Sequence, residues 1–210
     1  MKINREVLLK PLSSVTGIVE RRHTLPILSN LLLETKNNTI QLTTTDLEMQ
    51  ISLTIQATLQ EELSTTISAK KFLDICRSLP DGIDIDLMSK DSRMTVKAGK
   101  SRFNLQTLPA ADYPVMTKVS GQSIQIQLPQ LELKRLLKQV EFAMAQQDIR
   151  YYLNGLLLEV DGNKLNLVGT DGHRLSFTST TLNQSHEKTD VILPRKTVIE
   201  LIKLLEDNDE

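Results

Sequence analysis

The chain has 210 residues, 25 of them Lys or Arg and 26 Asp or Glu, for a net charge of -1. That balance excludes a protein that grips nucleic acid by bulk positive charge and leaves only segregated charge to do so. The single cysteine, Cys76, permits no internal disulfide and suits a reducing cytoplasm; no apolar leader and no run of about 18 apolar residues points to secretion or a membrane span.

Taken in order, residues 5–20 place Leu8, Leu12, Val15 and Val19 on one helical face, with Pro11 inside the pattern and expected either to kink the helix or to delay its start. Strands are expected at 29–35, 39–45 and 49–58, the last with Ile51, Leu53, Ile55 and Ala57 alternating against polar neighbours. A strand at 64–69 leads into a helix capped near Ser68 that carries Phe72, Cys76 and Leu79 on one face and stops at Pro80-Asp81-Gly82. Further strands fit at 83–88, 93–98 and 102–108, and 109–114 reads as a linker. Beyond it, Ile124, Ile126 and Leu128 alternate as in a strand. Residues 131–144 then form a helix with Leu133, Leu136, Leu137, Val140 and Met144 on one side. Two strands are expected within 154–170, joined by a turn at Asp161-Gly162-Asn163; others fit at 175–180 and 189–193, and a helix follows Pro194.

The chain repeats itself. Leu31-Leu32-Leu33-Glu34 and Thr45-Asp46-Leu47-Glu48 reappear as Leu156-Leu157-Leu158-Glu159 and Thr170-Asp171-Gly172-His173 at an offset of 125. Leu8, Leu12 and Val15 map onto Leu133, Leu137 and Val140 at the same spacing, and Lys71 and Leu79 onto Lys196 and Leu204, so the offset is expected to run without gaps. This is a duplicated domain. Residues past 85 in the first copy have no counterpart, so the chain is expected to be part of a longer protein whose second domain continues, with an unpaired sheet edge.

Charge is segregated along this repeat. The helical windows 5–22, 69–80, 130–142 and 195–205 carry net charges of +2, +2, +1 and +2, whereas 31–62 and 81–96 carry -4 and -2. Solvated helix faces would explain any one window; four of one sign suggest a surface for a polyanion.

Asp171, His173 and Arg174 lie together as a catalytic patch would, which leaves a hydrolase-type enzyme as one alternative. The first copy has no His or Arg there, and Asp-Gly also signals a turn, so a binding surface is the stronger reading. Three histidines and one cysteine show no metal-ligand spacing, and the eight glycines form no phosphate loop, so neither metal nor cofactor is expected. Cys76 reads as a core residue, and Tyr151-Tyr152 after Arg150 could stack on bases. A structural repeat protein without a nucleic-acid role is a further alternative.

Several stretches resemble one family. They are 24–34 (TLPILSNLLLE), 69–77 (AKKFLDICR), Ser101-Arg102-Phe103, 108–114 (LPAADYP), 147–155 (QDIRYYLNG) and 170–175 (TDGHRL). Together they are similar to the bacterial sliding clamps, beta subunits of the replicative DNA polymerase III. The resemblance implies an α+β fold of duplicated clamp domains, each with two helices packed on antiparallel sheets. It places domain 1 at 1–118 and an incomplete domain 2 at 122–210, with a third domain absent. It implies a non-catalytic processivity factor of the cytoplasm whose full-length homodimer closes as a ring around duplex DNA, helices lining the hole. Its partners would be double-stranded DNA, the polymerase catalytic subunit, the clamp loader and other proteins with a clamp-binding motif. DNA contacts would fall on Arg22, Lys70, Gln147, Tyr151 and Tyr152, with Lys70 where arginine is expected and His23 where proline is common. A partner-peptide groove would use Leu153, Thr170, Gly172, His173, Arg174 and Leu175, its other half coming from the third domain. Lys100, Arg102 and Phe103 would form one side of the ring-closing dimer interface.

Overall fold

A computed structural model describes residues 1–19, 25–57, 62–116 and 124–207. The chain divides into two compact units, Met1–Lys118 and Val119–Glu210. Each is a helix pair laid on antiparallel strands.

In the first unit, β1 (Lys2–Asn4) runs directly into α1 (Arg5–Thr16). Asn4 caps the helix, its side-chain oxygen accepting from Glu6 N at 3.0 Å. The helix therefore starts on time and passes through Pro11. The bond that proline cannot make would go to Val7, an exposed residue, where water can replace it. After a 3-10 turn at Pro26–Ser29 come β2 (Asn30–Lys36), β3 (Thr39–Thr45), β4 (Gln50–Gln56) and β5 (Ser64–Ser68). Then follow α2 (Ala69–Ser78), β6 (Asp84–Lys90), β7 (Arg93–Ala98) and β8 (Ser101–Leu108). All pair antiparallel in the order β1-β6-β7-β8-β5-β2-β3-β4. The β5–β8 junction rests on two residue pairs only, Thr66–Leu108 and Ile67–Thr107. Strand β1 is too short for periodicity to reveal.

Leu8, Leu12 and Val15 of α1 meet Phe72 and Cys76 of α2 over Leu31, Leu33, Ile40 and Leu42, all fully buried. Each such side chain contributes about 1.5–3 kcal/mol. Cys76 is part of this core, and burial pushes its thiol up to about 12.

The second unit contains α3 (Gln130–Val140), 3-10 turns at Glu141–Ala143 and Tyr151–Leu153, β9 (Gly155–Thr170), β10 (Leu175–Pro194) and α4 (Arg195–Leu204). Asn166 Nδ2 lies 2.9 Å from Glu159 Oε2. Seven extended residues would separate them by about 23 Å, so β9 doubles back on itself. The fold is at Gly162, whose φ of +58° suits the expected turn. The two halves of β10 then flank this hairpin: 175–181 pairs with 164–170 and 189–194 with 155–160, and His186 crosses opposite Gly162.

Four expectations change here. Residues 124–128 alternate but form no strand; their counterparts in β1 pair with β6, which has no equivalent among the described residues of this unit. The helix expected to reach residue 144 stops at Val140. Arg195 Nη1 takes the carbonyls of Glu141 and Met144 (3.1 and 3.2 Å) and Arg174 Nη2 that of Phe142 (2.7 Å), holding them out of the helical ladder. The expected strands at 175–180 and 189–193 are one continuous ladder. Finally, the repeat is not gapless. Glu34 pairs with Ser64 but Glu159 with Asp190, and α4 starts 126 residues after α2, so one residue is inserted where β10 crosses the hairpin tip. Lys196 thus matches Lys70, and Leu205 matches Leu79. Phe72 and Val198, matched this way, are both fully buried.

In each unit the first residue of the first helix closes the end of the second. Arg5 donates through Nε to Cys76 O at 2.8 Å and through Nη2 to Arg77 O at 3.5 Å, and pairs with Asp81. Gln130 accepts from Glu206 N at 3.0 Å. Arg5→Leu strips the carbonyls at the end of α2 of a buried charged donor. We predict a loss of about 2–3 kcal/mol in urea unfolding of the first unit; an unchanged midpoint would contradict this role.

Candidate functional site

The two Thr-Asp loops have the same hydrogen bonds. In the first unit Thr45 Oγ1 donates to Met49 O (2.7 Å), and Asp46 Oδ1 accepts from the amides of Glu48 (3.0 Å) and Met49 (2.9 Å). In the second, Thr170 Oγ1 donates to Arg174 O (2.8 Å), and Asp171 Oδ1 accepts from His173 N and Arg174 N, both at 3.0 Å. The third position takes a left-handed backbone in each, Leu47 at φ +77° and Gly172 at φ +88°. Threonine and aspartate are required because their short side chains reach the turn's own backbone.

That wiring commits Asp171 to the turn. The Asp171 carboxyl is held below the usual carboxylate range, first by the His173 amide, then by the Arg174 amide, with the Arg174 guanidinium adding to them. It is a turn-former with its proton already gone. The His173 imidazole makes no hydrogen bond among the described residues, and a charge acting with it is the Asp148 carboxylate.

A second loop packs beside the first. Asp148 and Asn154 bond reciprocally, Asp148 N to Asn154 Oδ1 at 2.8 Å and Asn154 Nδ2 to Asp148 O at 2.7 Å. Arg150 binds the Asp148 carboxylate through Nε (3.0 Å) and Nη2 (2.8 Å), which lowers that carboxyl to about 2. A Cβ on Gly172 would meet Arg150 Nη2 at 3.2 Å, so this glycine serves both conformation and clearance. Arg174 pairs with Asp171, reaches Phe142 O and lies 5.5 Å from the centre of the Phe142 ring. Between the loops is a cleft of about 470 Å³ lined by Phe142, Met144, Asp148, His173, Arg174 and Arg195 among others.

The expected site residues fall into three places. Gly172, His173, Arg174 and Leu175 are exposed at the Thr-Asp loop, with Thr170 half-buried and its hydroxyl engaged. Leu153 is buried, and its carbonyl accepts from Ala145 N at 3.0 Å. Gln147 turns at φ +56°, and Tyr151 and Tyr152, 82% and 50% exposed, meet edge to face at 5.8 Å. Lys70 is half-buried on α2, while Arg22 and His23 lie outside the described residues. Lys100 and Arg102 are exposed and Phe103 packs partly on the first core. Sequence reasoning missed Phe142, Asp148, Arg150 and Asn154 as the frame of the cleft. The aspartate two residues before Arg150 is the signal that was present.

The helix charges are thinner than the windows suggest. Arg5 points inward, and Lys134, Arg135 and Lys203 pair with Asp207, Glu132 and Glu200. Lys71, Arg77 and Lys138 remain exposed on the helices. Among the described residues no group of three His, Cys, Asp or Glu is placed to hold a metal, and no helix is long and apolar enough to cross a membrane.

Two family models match in order: the N-terminal domain of the DNA polymerase III beta subunit over residues 1–117 and its central domain over 127–210. The chain belongs to the DNA polymerase III beta subunit family. It is 47% identical to the beta sliding clamp of Escherichia coli K12 over 208 residues, covering 99% of this chain and 57% of that protein. The beta sliding clamp of Pseudomonas aeruginosa is likewise 47% identical over 209 residues, again 57% of its length. The solved Pseudomonas aeruginosa beta subunit superposes at a TM-score of 0.95 with 46% identity, over all of this chain and 57% of that one. The Caulobacter crescentus beta subunit gives 0.92 with 41% identity, over 97% and 56%. The chain thus spans little more than half the length of the curated relatives it matches.

The shared loop in this beta-subunit chain yields a reciprocal test. Leu47→Gly relieves a left-handed leucine and, after the entropy glycine adds to the unfolded chain, should stabilise the first unit by about 0.5 kcal/mol. Gly172→Leu should cost the second unit about 1–2 kcal/mol or more. Thermal unfolding of both variants checks the pair; equal effects in the same direction would refute the shared geometry.

Proposed function

We propose that this chain is the DNA-encircling part of a sliding clamp, a non-catalytic processivity factor that tethers the replicative polymerase to duplex DNA. The observation that carries the reading is the duplicated unit with a helix pair on one face of its sheet. Within each unit the helices turn their polar side to solvent, and the exposed Lys71 and Arg77 in the first unit and Lys138 in the second give those helices a positive sign. The relatives' name, beta sliding clamp, supports the same reading. The full-length protein would have three such domains, the first over 1–118 and the second from 122, and would act in the cytoplasm as a homodimeric ring.

In this reading Arg22, Lys70, Gln147, Tyr151 and Tyr152 face DNA, and the strongly exposed tyrosines are free to lie against sugar or base. Lys100, Arg102 and Phe103 close the ring. The strand that carries Arg102 and Phe103 supports this: β7 pairs with Ser101–Gln106 of β8, but on the other side only Thr107 and Leu108 are taken, leaving the Ser101–Gln106 edge open among the described residues. Leu153, Thr170, Gly172, His173, Arg174 and Leu175 receive short peptides of the polymerase catalytic subunit, the clamp loader and other clamp-binding proteins.

The decisive experiment loads the full-length protein onto DNA at moderate salt. Retention on circular DNA and loss after linearisation is expected; equal loss from both would replace the ring with ordinary surface binding. For the groove, Arg174→Ala in the full-length protein should weaken a clamp-binding-motif peptide of the polymerase catalytic subunit about tenfold. Undiminished binding would move the peptide site elsewhere.

A further inference from the structure

The eight-stranded sheet of the first unit has one weak joint. Strand β8 spends Ser101–Gln106 on β7 and meets β5 only through Thr107 and Leu108, whereas β2 and β5 share five residue pairs and β7 and β8 six. The joint cannot lengthen. Pro109 follows with no amide to offer, and the Thr107 amide is given to Ser92 O at 3.1 Å, on its own half of the sheet. Two halves therefore meet here, β1-β6-β7-β8 and β5-β2-β3-β4. On the helix side both press on one apolar core, Ile85, Val96 and Leu105 from the first half and Leu31, Leu42 and Ile67 from the second. Apolar contact is non-directional, so it fixes the angle between the halves less sharply than hydrogen bonds do.

The other side of the joint carries a clasp. Thr66, beside Ile67, is fully buried; its hydroxyl donates across the joint to Leu108 O at 3.1 Å and accepts from Asn30 Nδ2 at 2.9 Å. Asn30 O accepts from the Tyr113 hydroxyl at 3.1 Å, and that hydroxyl accepts from Thr45 N at 3.2 Å. Tyr113 is buried, and the 3-10 turn Ala110–Asp112 carries the chain from the end of β8 to this place. Thr45, Tyr113, Asn30, Thr66 and Leu108 thus form one chain of hydrogen bonds through β3, the segment after β8, β2, β5 and β8. Such a chain is satisfied in one arrangement of the halves, and breaking any member leaves buried polar groups unpaired.

We propose that the β5–β8 joint is a hinge in the first unit and that Asn30, Thr66 and Tyr113 are positioning residues that fix the angle at which β8 presents Arg102 and Phe103 for ring closure. The part played in ring closure rests on the clamp reading above; the hinge and its clasp do not.

The test places spin labels on Gln41→Cys of β3 and Lys97→Cys of β7, exposed positions on the two halves, while the buried Cys76 is spared. Pulsed electron resonance should give one narrow distance in the otherwise unchanged chain. A distribution about twofold wider is expected in Tyr113→Phe and in Thr66→Val, which remove one hydroxyl each at nearly constant volume. A distribution already wide without these changes, or equally narrow with both, would overturn the hinge. So would a lowered melting temperature without widening, the mark of a merely structural contact. In the full-length protein Tyr113→Phe should shorten the lifetime on circular DNA about tenfold; an unchanged lifetime would overturn the role in ring closure. Failure of the clamp reading would show differently, as unmodified protein lost equally from circular and linear DNA, and the distance distributions would then judge the hinge alone.

Discussion

Each unit depends on one constraint: two helices must bury their apolar stripes against a single face of an antiparallel sheet. Leu8, Leu12, Phe72 and Cys76 meet that demand in the first unit, and Leu136, Leu137, Val140 and Val198 in the second. Most polar side chains on the helices are thereby sent to the side away from the sheet, with Arg5, Thr16 and Glu200 as buried exceptions. The opposite face of the sheet is relieved of core duty and can change chemistry between copies. One packing rule thus supplies both a helical face suited to a polyanion and an outer face suited to proteins.

Divergence between the copies is accordingly more informative than their likeness. The Thr-Asp loop keeps every hydrogen bond because the turn cannot form without them, and it tolerates even a left-handed Leu47. Around that fixed turn the side chains that do not shape it have been exchanged: Met49 for Arg174, Gln50 for Leu175, Ser52 for Phe177. The first unit covers its loop with Tyr113, and burial pushes that phenol up to about 12, as expected of a hydroxyl used as a fixed peg.

In the first unit every strand and helix but β1 was legible in the sequence to within a few residues, because amphipathic periods and turn residues are local signals. What it hid was long-range. The end of α3 is decided by Arg195 and Arg174, more than thirty residues away, which take carbonyls that a helical pattern assigns to the helix. Alternation at 124–128 is a statement about faces and cannot supply the ladder partner a strand requires. The inserted residue behind β10 is invisible at a fixed offset because Lys70 and Lys71 are both lysine, so Lys196 matches either. For the candidate site, the Thr-Asp turn was readable from residue type, whereas the cleft beside it exists only because Asp148, Arg150 and Asn154 lock a neighbouring loop.

Charge illustrates the same limit and sharpens the clamp reading. Summed over windows the helices look firmly basic, yet Arg5 serves the fold and Lys134, Arg135 and Lys203 answer carboxylates on or near their own helices. Suppose about four cations per chain remained to meet phosphates. The affinity would then fall by roughly a hundredfold between 50 and 200 mM salt. Such a grip is too weak and too salt-sensitive to keep a polymerase on its template by attraction. It is well suited to a protein held by enclosure, because shallow contacts with phosphates let the duplex pass and strong ones would stall it. The modest charge that argues against an ordinary DNA-binding domain is therefore the charge that a topological tether requires.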